Sequence, residues 1–461
     1  MTEKFSYNEL QLPNPSERLR TEAKKHAQDL LSLYKKRRYA SYLGNIEKAK
    51  EGIMVADTLF EAGLDTSEII PEIDLGILET RNSRMGVHQA DLLVQMAYFK
   101  TKTGDIEGAF SAADKVSKMK YERIRAFFAY KNIALLSDDQ NIVKLALKKA
   151  VKAVKREKEP DWYTVFYMTK AAEVAYMKNL DPFKILKRSK DFADKIGEGH
   201  DVVSDSYSRC GNFKESLDLI PKIKGDNNSE TKRKKEESII IIFEEQLKRD
   251  DIEGAVKTAE LLPDEYLNLF TRVNLIKAKA KKGLKNVSLD FEDIAIEVKE
   301  YDKEEKRGIS QMVDFYSTLG QIASFVRQDS KPFFDHAIEL ILEDKDSMDA
   351  DNANLAVTHL IEVGKKQAEV NIDYKDTFKM ALEMADSISN RKDNFPGSEI
   401  YKVMSYEDLS NAAVKLGYFD LVDEIIKRYD SKQFTEEDMT FDKMERLSEM
   451  VIGKASLAKK L

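Results

Sequence analysis

Apolar residues recur at intervals of three and four along most of the chain, with charged residues between them, as in helices that bury one face. The clearest stretch is Asp250–Gly283. Asp250 and Asp251 stand where free backbone N–H groups and the positive end of a helix dipole favour carboxylates. Ile252, Ala255, Val256, Ala259 and Leu262 then share one helical face, with Glu253, Lys257 and Glu260 on the other. Pro263 cannot continue that helix, because it lacks an N–H and clashes with the turn before it. Asp264 caps a second helix with the stripe Tyr266, Leu269, Phe270, Val273, Ile276 and Ala280. Gly283 suits the left-handed position that closes it.

A helix pair this small cannot bury its stripe alone, and stacking similar pairs is one way to cover it. Helix-opening signals recur at Asp105, Asn141, Asp181, Asn212, Asp251, Ser288, Ser330, Tyr374 and Gly417, at intervals of 31 to 44 residues. Most intervals hold a second helical pattern, and short insertions in turns account for the drift. Only 9 prolines and 19 glycines leave little turn chemistry for a β fold. The expectation is an all-α solenoid of roughly ten antiparallel helix pairs, with no significant sheet.

The pattern divides the chain. Residues 1–13 read as a leader and 14–86 as N-terminal helices, opened by Asn14, Pro15 and Glu17 as cap, first-turn proline and capping-box acid. Repeats fill 87–224 and 238–440, separated by the charged stretch 225–237, GDNNSETKRKKEE, which reads as an exposed loop running into a helix start. Further loops are expected at Glu343–Asn354 and Asn390–Ser398. Residues 441–461 read as a capping helix with Met444, Leu447, Met450 and Val451 inward.

The segments GDIEGAFSAADKV (Gly104–Val116) and DDIEGAVKTAELLP (Asp250–Pro263) resemble the second helix of a tetratricopeptide-type repeat. Gly104, Ile106, Ala109 and Ala113 hold the family's positions in one copy, and Ile252, Ala255 and Ala259 in the other. Gly211-Asn212-Phe213 and Gly417-Tyr418-Phe419 match its opening only, and the family's tryptophan and Leu-Gly signature is not evident. The resemblance implies a right-handed superhelix. It also implies a scaffold that holds a peptide or a partner helix in a concave groove.

Composition narrows the chemistry. Of 461 residues 34% are charged, and Lys+Arg 75 against Asp+Glu 82 gives a net charge of −7, which opposes wholesale nucleic-acid binding but leaves room for a local basic face. The one cysteine, Cys210, excludes an internal disulfide and reads as a small buried hydrophobe. No apolar signal segment is visible at the start, and the run Ile239–Phe243 is far too short to span a bilayer, so a soluble cytoplasmic protein without a membrane partner is expected.

His26, His88, His200, His336 and His359 form no tight zinc spacing, although Glu339 and Glu362 each stand one turn from an imidazole. The acidic stretch Glu343–Asn354 lacks the central glycine and the twelfth-position glutamate of a calcium loop. Phosphate-binding and nucleophile-elbow motifs are absent. The chain is therefore read as non-enzymatic, with no cofactor, metal or catalytic residue. An enzyme in an all-α fold would need a deep pocket of converging polar groups.

Binding residues are sought on the helix faces. Asn268, Arg272 and Lys279 form a polar stripe beside a core face, and Trp162 and Tyr163 open an aromatic helix whose edge could anchor a protein or peptide partner. The nucleic-acid alternative rests on Lys35, Lys36, Arg37 and Arg38, interleaved with Tyr34, Tyr39 and Tyr42, and on Lys232, Arg233, Lys234 and Lys235.

Overall fold

The computed structural model describes residues 15–36, 44–79, 86–119, 122–155, 161–284, 286–303, 308–343, 348–388, 398–429 and 454. Among these residues the α-helix dominates and there is no strand. The chain divides into two compact units, one comprising Met1–Asn82 and Phe395–Leu461, the other Ser83–Asn394. The first holds α1 (Pro15–Lys36), α2 (Gly44–Glu61) and α3 (Ile70–Glu79).

Ser83–Asn394 runs through eight helix pairs: α4 (Gly86–Lys102) with α5 (Ile106–Lys118), α6 (Arg123–Leu136) with α7 (Gln140–Val154), α8 (Trp162–Met177) with α9 (Phe183–Ile196), α10 (His200–Arg209) with α11 (Phe213–Leu217), α12 (Asn228–Lys248) with α13 (Ile252–Ala259), α14 (Glu265–Lys281) with α15 (Val287–Lys303), α16 (Ile309–Phe325) with α17 (Lys331–Leu342), and α18 (Ala350–Glu369) with α19 (Lys375–Ser387). Helices α20 (Ser398–Leu416) and α21 (Phe419–Tyr429) belong to the other unit. Within Ser83–Asn394 each pair packs together, and each even-numbered helix also packs on the next even-numbered helix. No two odd-numbered helices pack to a comparable extent. This packing is consistent with a solenoid.

The opening signals read from the sequence fall at the starts of the odd-numbered helices. Asp105, Asn212 and Asp251 cap α5, α11 and α13, each side chain accepting from the backbone N–H three residues on. The closing signals are equally regular. Helices α4, α8, α10, α12, α14, α16 and α18 are followed by Gly104, Asn179, Gly211, Asp250, Gly283, Arg327 and Asn371, all at positive φ. After α10, Gly211 N donates to Ser208 O (2.8 Å) and Asn212 N to Tyr207 O (2.9 Å). Arg327 N to Ser324 O (3.1 Å) and Gln328 N to Ala323 O (2.8 Å) repeat the arrangement after α16. These paired bonds satisfy carbonyls that a helix end would otherwise leave open.

The residue seven before each stop is small in most even-numbered helices: Ala97, Ala172, Ser204, Gly320 and Gly364. There the odd-numbered partner comes close. Ser204 Oγ lies 3.0 Å from Ser216 Oγ of α11. A Cβ on Gly320 would sit 2.7 Å from the Phe334 ring of α17, and Gly364 stands against Phe378 of α19 in the same way.

The charged stretch 225–237 differs from expectation. It is helical from Asn228, because Asn227 caps Glu230 N (2.9 Å) and the charges pair one turn apart. Lys234 meets Glu230 (3.2 Å), Lys232 meets Glu236 (3.6 Å) and Arg233 meets Glu237. Packing continues across it, from α10 to α12 and from α12 to α14. The expected loop Glu343–Asn354 is likewise helical from Ala350, capped by Asp349. Loop 390–397, leader 1–13 and, apart from Lys454, the capping helix 441–461 lie outside the described residues. The unit boundary near Phe395 has no counterpart in the expected layout, which ran the second set of repeats to residue 440.

In the unit that carries the termini, Tyr34 reaches Glu72 (3.4 Å), tying α1 to α3. A Cβ on Gly52 would sit 2.9 Å from Ile73, so α2 and α3 also depend on a small residue for close contact. Cys210 is buried in the α8–α11 core, and burial pushes its thiol up to about 12, so it packs as a hydrophobe. Among the described residues no helix is long and apolar enough to cross a membrane.

Gly364→Ala should lower stability by about 1–3 kcal/mol through overpacking against Phe378. Adding Phe378→Leu should recover part of that loss. Chemical unfolding of both variants checks this, and wild-type stability in Gly364→Ala would refute the close approach.

Candidate partner-binding face

The regular stops place equivalent residues on equivalent faces. Six residues before each stop from α8 onward stand Glu173 of α8, Asp205 of α10, Glu244 of α12, Lys277 of α14, Gln321 of α16 and Lys365 of α18; before the first, Gly104, it is Tyr98 of α4. A polar or charged group therefore recurs at one register position along consecutive even-numbered helices.

Glu173 binds across the α8–α10 seam. It accepts from Ser206 Oγ (2.7 Å) and Arg209 Nη1 (3.0 Å) of α10, and from Lys170 Nζ (3.0 Å) of its own helix. Burial pushes its carboxyl up, but these donors outweigh burial and hold it below the usual carboxylate range. Asp205 has no such set. Burial raises its carboxyl to about 6, with Ser238 opposing, and its Oδ1 has no hydrogen-bond partner. Glu244 is also raised, by burial first and by Glu245 after it. Asp201, Asp205, Glu237 and Glu244 line a cavity of about 330 Å³ between α10 and α12, with Lys234 at its edge and Ile240 and Ile241 among its walls.

The sign of the face reverses further along. Burial and the neighbouring Lys366 lower the Lys277 ammonium. Lys366 of α18 donates to Asp314 Oδ1 (2.6 Å), Ser317 Oγ (2.9 Å) and Thr318 Oγ1 (2.9 Å) of α16. Gln321 donates to Glu369 Oε2 (2.6 Å). These bonds cross the α16–α18 seam. Carboxylates thus gather at α8–α12 and ammonium groups at α14 and α18, a dipolar face suited to a chain with complementary charges.

The residues singled out from sequence are dispersed. Arg272 pairs with Glu297 of α15 (2.5 Å) and Lys279 with Asp290 of α15 (3.4 Å), so both turn toward the odd-numbered partner. Asn268 is half-buried one turn before Arg272. Trp162 is half-buried and stacks on Phe166 at 5.0 Å, whereas Tyr163 beside it is exposed. Lys35 pairs with Glu68 at 2.8 Å and Lys36 ends α1, while Arg37 and Arg38 lie outside the described residues. Of Lys232, Arg233, Lys234 and Lys235, the first three pair with glutamates of their own helix.

The histidines are also spread out. His200 is buried beside Asp194 (3.0 Å), and His336 lies against Tyr316. His359 Nε2 is 2.8 Å from Ser310 Oγ at the rim of a cavity of about 270 Å³, and burial lowers its imidazole. That is a spacing at which a base could take a hydroxyl proton. Among the described residues no carboxylate orients the ring's other nitrogen, and no group of three His, Cys, Asp or Glu is placed to hold a metal ion.

Sequence reasoning missed Glu173, Asp205, Glu244, Lys277 and Lys366. For the first four the signal was there, six residues before the stop, with Lys366 one position nearer its own, but four of the seven stops are not glycine.

The raised Asp205 carboxyl fixes a pH dependence. Its folded value lies above the unfolded one, so it costs nothing below about pH 4 and progressively more as pH rises through about 6. Asp205→Asn should match wild type in acid and exceed it near neutral pH by about 2 kcal/mol. Unfolding curves across that range check this, and equal stability at neutral pH would refute it.

No protein-family model matches this chain, and no curated protein matches it either, so the residues above carry the functional argument.

Proposed function

We propose that Ser83–Asn394 is a non-enzymatic, cytoplasmic scaffold of tetratricopeptide type, wound as a right-handed superhelix, whose even-numbered face holds a segment of a partner protein. The observation that carries this reading is the recurrent polar position on consecutive even-numbered helices, with the Asp205 carboxylate oxygen left unpartnered. The even-numbered helices form the contiguous row and the odd-numbered ones are splayed. In a two-layer stack the contiguous layer is the shorter, so it lies on the inner side of the bend. A lysine or arginine of the partner would enter the acidic cavity between α10 and α12, supplying the bond that Asp205 lacks. Internal pairing of Lys232, Arg233 and Lys234 weakens the nucleic-acid reading.

The test is affinity capture from lysate, with and without nuclease, using wild type and the Asp205→Lys/Glu244→Lys variant. Wild type should retain the same protein partners after nuclease, and the charge-reversed variant should lose them while keeping its helicity and melting temperature. Loss of every partner on nuclease treatment, or full retention by the folded variant, would overturn the reading.

A further inference from the structure

A larger cavity than that between α10 and α12 lies away from that face. It is a groove of about 820 Å³ between α7 and α9, two odd-numbered helices that do not pack together. Its floor is apolar: Leu147 and Val151 of α7, Ala175 of α8, Leu180, and Ile185 of α9. Its rim is cationic. Lys144, Lys148, Lys152 and Lys155 follow one edge, and Lys184 and Arg188 the other, against a single acid, Asp181, whose Oδ1 accepts from Phe183 N (2.9 Å).

Three other pairs of odd-numbered neighbours are bridged. Lys149 of α7 meets Asp114 of α5 (2.7 Å), Lys190 of α9 meets Glu215 of α11 (3.0 Å), and Phe291 of α15 meets Phe333 of α17 (5.6 Å). Across the α7–α9 gap the lining is mainly basic, with Asp181 as its acid, and among the described residues no ion pair joins the two helices. Among the described residues none of the six rim cations has an acidic partner. Lys155 and Arg188 crowd one ring, lying 5.9 and 5.8 Å from the Phe192 centroid. Burial, with Arg188 adding to it, pushes the Lys155 ammonium down to about 8.

We propose that this groove is a second docking site, and that its occupant is an acidic amphipathic helix of a partner protein. Lys144, Lys148 and Lys152 of α7 and Lys155 at its C-cap are spaced four, four and three residues apart, a line of charge about 16 Å long, since a helix rises 1.5 Å per residue. Glutamates or aspartates at helical spacing on the occupant meet that line repeatedly. Its apolar positions at i, i+3, i+4 and i+7 cover the floor between the walls. A single anionic headgroup would engage only one or two of these cations. A nucleic-acid backbone would leave the floor uncovered. The helix would also reinforce the contact that Lys155 makes across the gap to Phe192 of α9.

The test uses the full chain and a labelled helical peptide of about 15 residues, with leucines on one face and glutamates on its flanks. Fluorescence anisotropy should show saturable binding, weakened at least about tenfold by scrambling the peptide or by Lys148→Glu/Arg188→Glu. The reversed variant should instead bind a peptide carrying lysines in place of the glutamates. Asp205→Lys/Glu244→Lys should leave the acidic peptide's affinity unchanged, which separates this site from the even-numbered face. The proposal fails if no binding saturates by about 100 µM, if the scrambled peptide binds equally, or if charge reversal has no effect. It also fails if a DNA duplex or phosphatidylserine vesicles bind the groove while the peptide does not.

Discussion

Most even-numbered helices of Ser83–Asn394 must stop at a residue whose backbone turns left-handed, and the rest of the unit depends on that turn. The left-handed residue reverses the chain and lets two N–H groups close the last carbonyls. Because the stop recurs, positions counted back from it recur too. Seven residues back the side chain meets the odd-numbered partner and is mostly small, as at Ala172, Ser204, Gly320 and Gly364. Six residues back stands the polar series from Glu173 to Lys365. Packing and binding chemistry thus hang on one backbone feature.

The all-α architecture and the starts of the odd-numbered helices were legible, because a capping Asp or Asn is a local event written in one side chain. The stops were harder. Gly283 announces itself, but Asn179, Asp250, Arg327 and Asn371 take the same conformation at a cost of about 1 kcal/mol each, and only the surrounding packing enforces it. The charged start of α12 looked like a loop because polarity was weighed without the one-turn pairing of its lysines and glutamates. The unit boundary near Phe395 was invisible because helical periodicity runs through both units. Arg272 and Lys279 pair with Glu297 and Asp290 of α15, a neighbour that periodicity alone cannot name.

A net charge of −7 conceals two opposed local fields. Carboxylates at α10 and α12 gather around a small cavity and carry a desolvation cost in the free protein. Six cations and one acid, Asp181, line the α7–α9 groove, and among the described residues none of the cations has an acidic partner. Like charges held together at the expense of stability are a common mark of surfaces that complement something else. On the proposed reading, the two surfaces would take partner segments of opposite charge.

The left-handed stop is tested most directly at Arg327, where φ is 62° in a residue with a Cβ. Glycine there relieves the strain, and valine, branched at Cβ, worsens it. Thermal unfolding should show Arg327→Gly at least as stable as wild type, by up to about 1 kcal/mol, and Arg327→Val clearly less stable. If valine is tolerated as well as glycine, α16 does not end in a left-handed residue, and the shared register that places both the core and the binding face is wrong.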